Sequence, residues 1–219
     1  MSLIINHDHP KYRQKWKKIG SGKYNGAFYY SKEICKNIIP RVKTDRPWIT
    51  IKVPGTACDH AIVFIHNNLD QSTYDYLKDY DDLILVCGIP ETVPKVAHLG
   101  KAIYLPLSVD VQYVKQFQRK KIKGTACVGR RDKLEKSMNL PRTVDWICGV
   151  KRQYMLPMMA QYEKVYAVGR TAIEAKILGC EILPYDERFP DVDRWQILDN
   201  REAAVMLQKM IDEIDGADK

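Results

Sequence analysis

Nine short runs rich in β-branched and aromatic residues punctuate the chain: SLIIN (2–6), WITIKV (48–53), AIVFIH (61–66), DLILVCG (82–88), KAIYLPL (101–107), TACVG (125–129), VDWICG (144–149), KVYAVG (164–169) and CEILPY (180–185). Most end in a polar or Gly/Pro turn, which is how buried strands read. Between them apolar residues recur at helical spacing over 25–39, 72–80, 92–99, 155–162, 171–178 and 202–214. Continuous apolar strands alternating with helices imply a parallel sheet covered on both faces by its crossover helices. The expected fold is therefore an α/β, doubly wound one, whose ligands lie beyond the carboxyl ends of the strands.

With 219 residues and 45% hydrophobic content, the chain can bury one large core or two small ones. Segment 109–123 (VDVQYVKQFQRKKIK) turns polar and carries five Lys/Arg without a strand pattern. A boundary placed there divides the chain into 1–112 and 113–219, two small Rossmann-like lobes facing each other across a cleft. One continuous sheet is the alternative.

No stretch approaches 18 uninterrupted apolar residues, and the N-terminus MSLIINHDHPKYRQK lacks the apolar run and cleavage site of a signal peptide, so a cytoplasmic location is expected. Six cysteines stand at wide, irregular spacing, four of them inside apolar runs, the pattern of buried thiols and not of a disulfide framework. The net charge of +8 sits entirely in residues 1–60, which carry twelve Lys/Arg against four Asp/Glu. The segment KYRQKWKKIGSGK, with Lys15, Lys17, Lys18 and Lys23 around Trp16, suits a polyanionic partner such as nucleic acid or an acidic membrane surface. A solvated basic edge that serves solubility reads equally well.

The segment YAVGRTAIEAKILGCEILPYD (166–186) carries the most chemistry. A strand runs to Val168, Gly169 turns the backbone, Arg170 and Thr171 open a helix with Thr171 placed to cap it, and Glu174 lies one turn inside. Such a unit offers free N–H groups and a positive helix end to an anion.

Glu174–Ala175 followed by LGCEILPYD resembles the stretch that ends the donor-binding motif of family-4 glycosyltransferases of the GT-B type. TACVGRRDKLEK (125–136) is similar to that family's glycine–arginine element at the start of its C-terminal lobe, and AIVFIHNNL, DLILVCGIPETV and GKAIYLPLSVD resemble, in order, landmarks of its acceptor lobe. The segment 20–39 is similar to the acceptor lobe's glycine loop and first helix. The resemblance implies that Glu174 accepts the ribose hydroxyls of a nucleotide sugar. It also implies that Arg130, with Lys133 or Lys136, grips the diphosphate, a task suited to a planar guanidinium. Gly169, Arg170 and Thr171 complete the donor side, and Gly20, Gly22 and Lys23 fall on the acceptor or phosphate side. His66, ending the run AIVFIH, is the candidate general base or sugar contact.

Two departures stand out. Eight residues before Glu174, where the family carries a first glutamate that holds the transferred sugar, stands Tyr166, and the acceptor lobe is short. GT-B proteins stabilise the departing diphosphate with basic side chains and a helix end, so neither a metal nor a cofactor is expected beyond the nucleotide-sugar donor. Asp79, Asp81 and Asp82 read as a solvated helix end, and His7 with His9 has no third ligand in reach. Arg188 and Asp186 read as nucleotide contacts or as a pair closing a loop. The functional expectation is a glycosyltransferase, of hexosyltransferase type, moving sugar to an anionic acceptor. The alternative is an inactive nucleotide or nucleotide-sugar binder of the same ancestry.

Overall fold

The computed structural model describes residues 33–46, 48–50, 60–65, 77, 82–129, 140, 143–184 and 186–217. They form two separate four-stranded sheets, each wholly parallel. The expected α/β class with Rossmann-like lobes is what the chain adopts, and the single continuous sheet is not. By contacts the chain divides into two units, one running to Pro106 and resuming at Arg201, the other spanning Leu107–Asn200. The boundary expected at 112/113 places the C-terminal helix with the second lobe.

In the first unit the strands β1 (Trp48–Thr50), β2 (His60–Ile65), β3 (Asp82–Cys87) and β4 (Lys101–Tyr104) lie in chain order. Both faces of the central pair are buried, which is why these strands read as unbroken apolar runs. Ala61, Val63, Ile65, Leu83, Leu85 and Cys87 pack on one face with Leu77 and Val96. Ile62, Phe64, Ile84 and Val86 are equally buried, and Trp48 stacks on Phe64 with ring centroids 5.8 Å apart. The turn before β4 requires glycine, since a Cβ on Gly100 would stand 2.5 Å from the Leu83 carbonyl oxygen.

A 3-10 turn at Pro90–Thr92 leads into the short helix α1 (Val93–Val96). In place of the end of the helix expected over 25–39, the described part holds a π-helical turn, Ile34–Ile38, and a 3-10 turn, Ile39–Arg41, where Pro40 withdraws a backbone donor. The long C-terminal helix, here α5 (Asn200–Ala217), buries Ala203, Ala204, Leu207 and Ile211 on one stripe. Its last turns are tied to the first unit by Arg46, which donates to Asp215 at 2.8 and 3.1 Å and to Asp82 at 2.5 Å. Asp82, read as a solvated helix end, thus begins a strand and holds an ion pair.

The second unit contains β5 (Lys123–Gly129), β6 (Asp145–Cys148), β7 (Tyr162–Tyr166) and β8 (Glu181–Leu183), in the spatial order β6-β5-β7-β8. Helices α2 (Val111–Lys115), α3 (Arg152–Met159) and α4 (Arg170–Ile177) accompany them. The polar stretch after Val109 holds α2, capped by Asp110, whose side chain accepts from the Tyr113 N–H at 2.9 Å. Its beginning meets residues 198–200. Val109 N donates to the Leu198 carbonyl at 3.1 Å, Asn200 N to the Val109 carbonyl at 3.1 Å, and Ser108 Oγ to Asn200 Oδ1 at 2.8 Å. The second unit therefore closes at Leu107, ahead of the polar stretch.

The helix expected over 155–162 starts and ends three residues earlier. Gln161 is drawn toward the sheet, its carbonyl accepting from the N–H groups of Ile122 and Lys123, so Tyr162 opens a strand. That strand stops at Tyr166, short of the expected Val168.

Candidate functional site

In a doubly wound sheet the ligand crevice opens where the chain reverses its direction of winding. Here the chain passes from β5 outward to β6, then returns to lay β7 and β8 on the other side of β5. The switch point therefore lies between the carboxyl ends of β5, at Gly129, and β7, at Tyr166.

The turn after β7 is built on Gly169, at φ 61° and ψ −139°, a backbone region that is essentially glycine's alone. A Cβ there would find only ordinary van der Waals contact, Leu107 Cδ1 at 3.7 Å. The glycine is thus required by the backbone path and not by crowding. Gly169 occupies the N-cap of α4 and offers no side chain to cap it. Thr171, expected as the cap, lies inside the first turn, because the helix begins one residue earlier, at Arg170.

α4 is buried nearly all round, through Ala172, Ile173, Ala175 and Ile177, and it carries two charges inward. Glu174 is 3% exposed and Arg170 8% exposed. The Glu174 carboxylate accepts through Oε1 from Arg152 Nε at 2.7 Å, and Arg170 Nη2 stands 3.6 Å from the same oxygen. Arg152, on α3, lies over the Tyr113 ring with its guanidinium carbon 5.2 Å from the ring centre. Two guanidinium groups thus stand around one buried carboxylate.

Of the residues singled out from the sequence, Gly169, Arg170, Thr171 and Glu174 come together at this switch point. Arg130 directly follows Gly129, the last residue of β5, but lies outside the described residues, as do Lys133, Lys136, His66, Gly20, Gly22 and Lys23. Arg188 and Asp186 form a fork of two bonds, at 2.9 and 2.6 Å, across two residues of their own loop. Tyr166, in the place of the family's first glutamate, is half-buried and packs on the cluster around Cys127 and Val144. Arg152 was missed. It stands 22 residues from Glu174, and no local pattern joins them.

Cys87, Cys127, Cys148 and Cys180 form no disulfide. Burial pushes the Cys87 thiol up to about 11 and, aided by the neighbouring Cys148, the Cys127 thiol up to about 12. These are inert core thiols and not nucleophiles. Among the described residues no helix is long and apolar enough to cross a membrane.

Two all-parallel α/β lobes, the second with a glycine turn opening a helix at its switch point, place the protein in the Rossmann-like class. No protein-family model, no curated protein and no solved structure matches the chain.

Proposed function

We propose that the protein is a metal-independent glycosyltransferase of GT-B type, with its second lobe binding a nucleotide-sugar donor. The observation that carries this reading is the Gly169 turn at the switch point of the second sheet, followed one turn along α4 by Glu174, held at 2.7 Å by Arg152. A diphosphate would meet the N–H groups of the first turn of α4, and the ribose hydroxyls would meet the Glu174 carboxylate. Arg130, with Lys133 or Lys136, follows β5 in sequence and would supply the cationic charge that stabilises the departing diphosphate. His66, next in the chain after β2, would accept the acceptor's proton. The basic first 60 residues would draw in an anionic acceptor.

A second reading, a nucleotide-sugar binder without transfer activity, is favoured by Tyr166. At the position where the resemblance calls for a carboxylate facing the sugar, a ring is packed on the core.

Incubation with UDP-, GDP- and ADP-sugars, with and without nucleic acid or acidic vesicles, separates the two. Transfer releases nucleoside diphosphate, binding without release supports the second reading, and absence of binding overturns both. Glu174→Gln should weaken nucleotide-sugar binding by roughly 1–3 kcal/mol. Arg130→Ala should weaken diphosphates far more than the bare nucleoside, and equal losses would remove Arg130 from the phosphate site.

A further inference from the structure

We infer that Arg152 is the residue that sets ribose recognition at this site, by holding the Glu174 carboxylate through one oxygen. The inference rests on the reading of the second lobe as a nucleotide site. Glu174 is 3% exposed, and a carboxylate so buried has a defined orientation only where its partners impose one. Both guanidinium groups make their closest approach to Oε1, Arg152 Nε at 2.7 Å and Arg170 Nη2 at 3.6 Å. A carboxylate carries about four acceptor positions over its two oxygens. The hydrogen bond from Arg152 Nε is taken by Oε1, so it does not use the acceptor positions of Oε2.

Arg152 is itself fixed. Its side chain is 12% exposed and lies over Tyr113 at 5.2 Å. Tyr113, in the helix that Asp110 caps, in turn packs edge-on to Phe117 just beyond that helix, with centroids 5.3 Å apart. Arg170 and Glu174 share a helix, so Arg170 moves with the carboxylate it approaches. Arg152 comes from a separate helix following β6 and is the partner that ties the carboxylate to the frame of the sheet. Its role is positioning: it touches Glu174 and acts on a nucleotide through it.

The predicted ligand is a ribonucleoside diphosphate read through a single carboxylate in one orientation. The test compares UDP, GDP and ADP with their 2′-deoxy analogues by calorimetry on the full chain. Wild type should prefer the ribonucleotide by about tenfold, the worth of one charge-assisted hydrogen bond. Arg152→Gln should bring that preference to within about twofold, and Arg152→Lys, which keeps the charge without the fork, should restore part of it.

Thermal melting of each variant supplies the control. An Arg152→Gln protein that melts lower but keeps the full ribose preference would show a merely structural ion pair and overturn the inference. So would a wild-type protein that binds the deoxy and ribose forms equally. Should Arg152→Gln fail to fold, the Arg152→Lys ratio decides by the same criterion. A wild-type protein that binds none of the three diphosphates refutes the nucleotide site itself, a result distinct from a nucleotide bound without ribose preference.

Discussion

Lys121 Nζ donates to the carbonyl of Leu178 at 2.8 Å, at the carboxyl end of α4. The same ammonium reaches the Ala160 carbonyl at the end of α3, at 2.9 Å, and Cys180 Sγ at 3.1 Å. One cation thus closes two helices at the end opposite the candidate site, where their dipoles favour positive charge. Lys121→Met should cost roughly 2–3 kcal/mol, two charged hydrogen bonds offset by the retained apolar stem. Urea denaturation measures the loss, and a change under 0.5 kcal/mol, taken as roughly the ordinary surface value, would mean that water replaces the lysine at both carbonyls.

Gly169→Ala separates backbone strain from crowding. At φ 61° and ψ −139° an alanine should lose about 1–3 kcal/mol, although its methyl would meet nothing closer than Leu107 Cδ1 at 3.7 Å. Thermal unfolding at neutral pH reads the cost, and nucleotide binding should fall with it if the turn supplies the diphosphate's N–H donors. A variant as stable as wild type would show that the turn relaxes to an ordinary conformation.

The core thiols predict instability in alkali. Burial raises Cys87 from 9.0 to about 11 and Cys127 from 9.0 to about 12, so the native state holds these protons more tightly than the unfolded chain. The stability this provides is complete below pH 9 and is lost as pH rises toward the folded values. Each thiol should contribute a loss on the order of 1–2 kcal/mol between pH 8 and 10.5. Denaturation at both pH values in wild type and Cys127→Ala should show the smaller pH-dependent drop in the variant. Equal drops would place the alkaline sensitivity elsewhere.

The basic front of the chain should act independently of the donor side. Replacing Lys15, Lys17, Lys18 and Lys23 with serine should leave nucleotide-sugar affinity unchanged, since the expected donor residues all follow residue 124. Binding to nucleic acid or acidic vesicles should weaken, with a shallower dependence on salt as fewer counterions are released. Salt-independent binding of wild type would reduce this charge to a solubility feature. Loss of nucleotide-sugar binding in the variant would move the glycine loop 20–22 to the donor side.

Local sequence determined the strands and the turn. Runs such as DLILVC and TACVG needed no context, because a parallel strand buried on both faces is apolar at every position. Gly169 between an apolar run and a helical pattern likewise marked its own position, since few residues tolerate that backbone conformation. The sequence did not reveal α2, whose polar residues hide an Asp110 cap, nor the three-residue offset of α3, set by the Gln161 carbonyl accepting from the β5 edge. Tertiary structure alone decided where the charges settle: Arg152 on Glu174 across 22 residues, Lys121 on the Leu178 carbonyl across 57, and Arg46 on Asp215 across 169. Read along the chain, the side chains of Arg152, Glu174, Lys121, Arg46 and Asp215 are polar and fit for solvent. Strand order and the return of the C-terminal helix bring them together, and both arise from long-range packing that local periodicity does not encode.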